Sequence, residues 1–202
     1  MIPTILLLVL FLIVTGLVVR ERLWGAMLRF LNVLVAATMA TAWYEPLAAL
    51  GDPYVDRIVP PFGQFFDAAA AWGLFVVILL VLRIITGLMS RTRVPFPPLL
   101  DWGGGAVMAL LTAWVVVGFT GMTFHMAPLP REAVQATPES NMFLGLAPDR
   151  KWLAWVRGSS HPERGPFSTG GGREFDANAN FVVRYADRRA GNAKALGAAA
   201  SQ

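Results

Sequence analysis

Cysteine is absent from the 202 residues, and histidine occurs only twice. The first absence excludes a disulfide framework, a thiol nucleophile and a thiolate metal site; the second leaves too few imidazoles for a histidine metal centre. Charge is scarce as well: 15% of residues are Asp, Glu, Lys or Arg, against 55% hydrophobic, and the mean hydropathy is +0.54. That is too apolar for a soluble domain of this size. The formal net charge of +4 is thinly spread. Residues 1–126 hold seven of the 17 basic and six of the 13 acidic residues, leaving ten and seven for the remainder. Basic residues stand beside acids rather than in one patch, which excludes nucleic acid as a partner. The lipid bilayer is the partner this composition implies.

Long apolar runs are what the chain has instead. Four of them, at about 2–19, 23–50, 68–89 and 101–126, are read as transmembrane helices, since about 20 residues at roughly 1.5 Å each cross a hydrocarbon core of about 30 Å. The expected fold is an all-α membrane protein. A bundle of about four transmembrane helices fills residues 1–126, and a loosely structured, partly flexible extramembrane tail occupies 127–202. The first run has no basic residue before its apolar core and no small-x-small site before Arg20, so it reads as a span rather than a signal peptide. Glu45 and Pro46 are expected to end the second span, with Trp43 and Tyr44 at the interface. Residues 51–67 read as a loop, whose acids Asp52, Asp56 and Asp67 have no metal-ligand spacing and are expected to be solvated or to cap helices.

The polar residues inside the spans form patterns. Arg22, Gly25, Arg29, Asn32, Ala36 and Ala40 recur at three- and four-residue steps, one stripe of a helix. Arg29 and Arg83 each lie within reach of a helix end and can snorkel, or they can line a polar interior with Asn32. On the fourth span Gly105, Ala109 and Ala113 fall four apart, with Gly121 two such steps on, giving a face bare enough for another backbone to approach. Asp101 either caps the start of that helix or pairs with a guanidinium, Arg83 being the expected partner.

The tail offers no chemistry. Gly170, Gly171 and Gly172 are not followed by the lysine and hydroxyl of a phosphate loop. Ser159, Ser160 and His161 have neither a nucleophile elbow nor a placed acid, and His125 reads as an interfacial hydrogen-bonding residue. Trp152 and Trp155, three apart, are expected to dock at the membrane interface if helical. The apolar clusters 142–144, 152–156 and 181–183 are expected to form short helical or strand pieces, with residues after Ala190 flexible. No catalytic residue, cofactor or metal site is assigned.

Counting basic residues beside the spans puts Arg20, Arg22, Arg91 and Arg93 on the cytoplasmic side, with both termini outside. Three function classes are then open: an accessory or scaffold protein, a small oligomeric channel or transporter subunit, and, last, an intramembrane enzyme. The scaffold class is expected, and an enzyme is not.

The segment Leu100-Asp101-Trp102-Gly103-Gly104-Gly105-Ala106-Val107-Met108-Ala109-Leu110-Leu111-Thr112-Ala113, behind a charged knot after the first span, resembles the last membrane helix of the colicin V production protein (CvpA) family. There an acidic or amide residue is followed by small residues at four-residue steps, matched here by Asp101, Gly105, Ala109 and Ala113. Gly25 with Arg29 resembles that family's second helix. Two basic residues frequent in the family are replaced here by Trp102 and Thr112. The resemblance covers about residues 2–126. It implies a multi-pass protein of the bacterial inner membrane associated with toxin production or export and envelope processes, with itself or export machinery as partners.

Overall fold

The computed structural model describes residues 2–58, 63–90, 94–127, 141–163, 165–167 and 174–200, and these contain helices and turns but no strand. Six helices follow in order: α1 (Ile2–Val18), α2 (Leu23–Ile58), α3 (Gly63–Met89), α4 (Pro98–Met126), α5 (Pro148–Ser160) and α6 (Phe181–Ala200). Within α2, α3 and α4 the stretches Leu23–Gly51, Phe65–Met89 and Pro98–Met126 are long and apolar enough to cross a membrane. The apolar α1 is shorter, about 26 Å at 1.5 Å per residue. A bilayer can thin locally or flanking residues can snorkel to accommodate a helix of that length.

Helix α4 is the hub, touching α1, α2, α3, α5 and α6. Its first half is where small residues matter. A Cβ placed on Gly105 would lie 3.3 Å from both the Glu21 carbonyl oxygen and the Leu23 amide nitrogen, so α4 runs directly against the backbone of the α1–α2 turn. One turn on, Ala109 is fully buried in a cluster with Val18 and Ala26. In lipid, where apolar side chains gain nothing by leaving hydrocarbon, such close backbone packing is the main source of association. The second half of α4 is packed by larger groups. Phe119 lies against Trp72 and Phe75 of α3 at 5.1 and 5.0 Å between ring centroids.

Threonines supply the polar glue. Thr38, Thr41, Thr86, Thr112 and Thr120 each donate their hydroxyl to the carbonyl four residues back, which satisfies the donor inside an apolar medium. Three of the bundle's threonine oxygens also accept an indole N–H from another helix: Trp72 to Thr123, Trp152 to Thr41 and Trp155 to Thr38, at 3.1–3.2 Å.

Several expected boundaries are corrected. Helix α2 does not stop at Pro46 but continues to Ile58, and α3 begins at Gly63, so the expected loop 51–67 shrinks to a short connection. A proline removes one backbone donor from a helix, and packing on both sides of it compensates: Tyr44 and Ala48 flank Pro46 and are both buried. Tyr44 is therefore a core residue, whereas Trp43 is half exposed. Residues 191–200, expected to be flexible, continue α6. The core also continues past residue 126, because Trp152, Leu153, Val156, Phe175, Phe181 and Tyr185 share one cluster with Val33, Phe75 and Phe119. Arg91, Arg93 and the glycines 170–172 lie outside the described residues, as do the side chains of Asp52 and Asp56.

Candidate functional site

Two polar regions lie at opposite ends of the bundle. At the end carrying the α1–α2 and α3–α4 connections, Asp101 is buried on the first turn of α4. Its partner is Arg22, not Arg83: Arg22 Nη1 donates to Oδ2 at 2.9 Å, and the Leu23 backbone N–H donates to Oδ1 at 3.0 Å. Leu23 is the first residue of α2, so the carboxylate caps a neighbouring helix rather than its own, whose start is set by Pro98. Arg22 also lies over the Trp102 ring, 5.5 Å from its centroid. The tryptophan that stands in place of a basic residue thus holds one from the α1–α2 turn.

Replacing Asp101 with alanine is expected to cost about 1–3 kcal/mol, mostly from the uncapped N–H at the start of α2. Arg22→Ala should cost under about 1 kcal/mol, because that side chain is largely exposed. In detergent melting the double variant should lose less than the sum of the two single losses, whereas Asp101→Ala combined with Arg83→Ala should simply add. Additivity in the Arg22 cycle would remove that pair.

Beside this cap a cavity of about 440 Å³ opens between α1, α2 and α3, with Thr112 and Val116 of α4 in its wall. Arg29, Asn32, Arg83 and Thr86 line it together with Glu21 of the α1–α2 turn and apolar residues including Val14, Leu17 and Leu80. Arg29 is ion-paired with Glu21, and Asn32 Nδ2 donates to Thr86 Oγ1 at 2.9 Å. Arg83 is exposed on a surface otherwise made of Val77, Leu80, Val81, Ile84 and Ile85, and no described acid pairs with it. An arginine at the centre of a membrane helix costs about 2.5–3.5 kcal/mol on insertion scales, less near the end, and such residues commonly mark a function. Arg29, Asn32 and Arg83 therefore share one cavity, while Asp101 borders an adjacent one of about 610 Å³ with Arg20 and Arg22.

At the other end the tail is keyed into the bundle. Phe143, Leu144, Gly145 and Ala147 adopt left-handed φ of 53°, 58°, 84° and 47°, a conformation unfavourable for the three with side chains. The turn is anchored by the buried Phe143, whose ring meets those of Phe11 and Trp114. It delivers α5 against α4, where Gly118 leaves room: a Cβ there would lie 3.0 Å from the Pro148 carbonyl oxygen and the Trp152 Cβ. Gly121 faces Asp149 in the same way. Asp149 Oδ2 lies 2.9 Å from His125 Nε2, and both side chains are fully buried. Trp152 and Trp155 dock on α2 through their indoles.

Helix α6 is held by a second set of contacts. Asp67 of α3, expected to be solvated, is buried and accepts bonds from Tyr185 at 2.8 Å and Arg188 at 2.7 Å. Arg184 pairs with Glu45, and Tyr44 and Tyr185 share a hydroxyl contact at 3.3 Å. Burial and the Asp67 charge push the Tyr185 phenol well above its ordinary range. The sequence shows each of these groups, but their partners lie 118–141 positions apart and carry no local spacing signal. Ser160 accepts the Phe175 N–H, Ser159 bonds the Val156 carbonyl, and His161 accepts the Glu163 N–H, so all three are used in local structure. Among the described residues no three His, Asp or Glu side chains are grouped to hold a metal.

The chain matches no curated protein and no solved structure. Residues 4–151 match the family described as colicin V production protein, a stretch running from α1 through the Asp101 cap and the α1–α3 cavity into the first turn of α5. A match over that much of the chain, on a bundle of apolar helices, makes this a multi-pass membrane protein that belongs to the colicin V production protein family.

Proposed function

We propose that the chain is an accessory or scaffold protein of the bacterial inner membrane that assembles with copies of itself or with export and envelope machinery during toxin production. It performs no reaction of its own and needs no cofactor. One observation carries this reading. Among the described residues, Ala36, Ala37, Ala40, Phe75, Phe119 and Met122 lie beyond the α1–α3 cavity in one buried apolar cluster and contribute nothing to its lining. A single chain with such a core offers no continuous polar path. The concentration of Arg20, Arg22, Arg29 and Arg83 at one end supports placing that end in the cytoplasm and both termini in the periplasm.

The other reading, a small oligomeric channel or transporter subunit, is favoured by the intramembrane arginines and Asn32. Purified protein in liposomes is expected to pass ions and small solutes no faster than empty vesicles. Flux that disappears in Arg29→Leu would establish the channel reading and overturn the scaffold. Photo-crosslinking from exposed positions of α6 in native membranes should capture a second copy or a component of the export machinery.

A further inference from the structure

We propose that the cavity between α1, α2 and α3 binds an anionic lipid, with its phosphate between Arg29 and Arg83 and its chain along Val14, Leu17 and Leu80. This goes beyond the scaffold reading and does not depend on it. The cavity, about 440 Å³, is of the size of small-ligand sites and is amphipathic: two guanidiniums, a carboxylate, an amide and hydroxyls meet apolar walls supplied by four helices. Charge fixes the sign of the ligand. Two guanidiniums face one carboxylate, Glu21, which leaves a single positive charge that a phosphodiester monoanion neutralises. Geometry favours phosphate as well, since its non-bridging oxygens can engage two forks at once and each fork has donors to spare. Arg29 is held on one side by Glu21, and Arg83 has no described acid partner.

The entrance has the same character. The adjacent cavity of about 610 Å³ shares Glu21, Gly25, Leu28 and Ser90 with the first and adds Arg20 and Arg22 at the end of the bundle. A basic route therefore runs from the end of the bundle to the half-buried Arg29 and the exposed Arg83, and basic pockets between membrane helices are a recognised setting for anionic head groups. The Glu21–Arg29 pair acts as a latch that the phosphate replaces in part.

The test uses the full chain in detergent, with phosphatidylglycerol and phosphatidylcholine of identical acyl chains compared by native mass spectrometry. Phosphatidylglycerol should be retained at least about tenfold more strongly, and Arg83→Gln or Arg29→Gln should bring it down to the phosphatidylcholine level. Arg83→Lys should keep most of the preference. Glu21→Gln should strengthen retention about threefold, a gain that damage to the fold could not produce. Equal retention of the two lipids, or unchanged retention in Arg83→Gln, would overturn the site. A further arm adds inorganic phosphate at millimolar concentration: failure to displace the lipid supports the two-part site, and displacement overturns the part assigned to the chain.

Discussion

Gly105→Leu is expected to abolish the native bundle. The atoms that a side chain there would strike belong to the backbone of Glu21, Arg22 and Leu23, so no rotamer change can relieve the contact. Overpacking a dense site costs about 1–3 kcal/mol by itself. Here helix α4 would also be lifted from the Asp101 carboxylate's contacts with Arg22 and Leu23, one turn away on the same face. The combined loss of about 3–5 kcal/mol is a large part of an ordinary folding free energy. Ala109→Leu should behave similarly. Val107→Leu, half exposed on the opposite side, should stay within about 0.5 kcal/mol of the parent. Thermal loss of the monodisperse peak in detergent measures all three, and a Gly105→Leu protein that melts with the parent would show that the seam does not hold the bundle.

Asp149→Ala is expected to release the tail. Removing one member of a fully buried pair leaves His125 without its partner and costs about 3–5 kcal/mol. The loss falls first on α5 and the second half of α4 that it packs against, because the Gly105–Ala109 seam lies at the other end of α4. Trp152, now buried and bonded to Thr41, should become solvated, and tryptophan emission should shift to longer wavelength before the bundle itself melts. Asp149→Asn, which can still form one hydrogen bond to His125, should lose less. Coincident melting of tail and bundle in Asp149→Ala would mean that the two are one cooperative unit.

How far the sequence reveals this structure depends on the range of the interaction. The spans are legible because an apolar run long enough to cross lipid has few other uses, and the Gly105–Ala109–Ala113 face is legible because helical spacing is local. The same local logic errs at Pro46, where the expected break is outweighed by the packing of Tyr44 and Ala48, and at Pro53, through which α2 also continues. Asp101 is visible as a residue that needs a partner, yet the sequence contains several guanidiniums at comparable depth. Arg22 takes it because Gly105 draws α4 down onto the α1–α2 turn, a distance that no pattern encodes. In the tail, Trp152 and Trp155 are expected at the membrane interface but dock on α2 instead, Trp152 within the core. Their receptors, Thr41 and Thr38, look like ordinary helix threonines. Asp67 reads as one more loop acid until α6 is folded beside it.

The placement of α4 at the hub also sets the order in which the molecule can be built. The turn between α1 and α2 leaves the ribosome some 80 residues before Asp101, the group that joins it to α4. During that interval the N–H at the start of α2 has no carboxylate to bond, and the Val18–Ala26 side of the turn has nothing against it. Loop-closure entropy makes such a distant pairing slow. The newly inserted N-terminal half is therefore expected to stay incompletely packed until α4 arrives. A truncation after α3 should persist in the membrane only as a short-lived species, cleared by membrane proteases faster than the full chain.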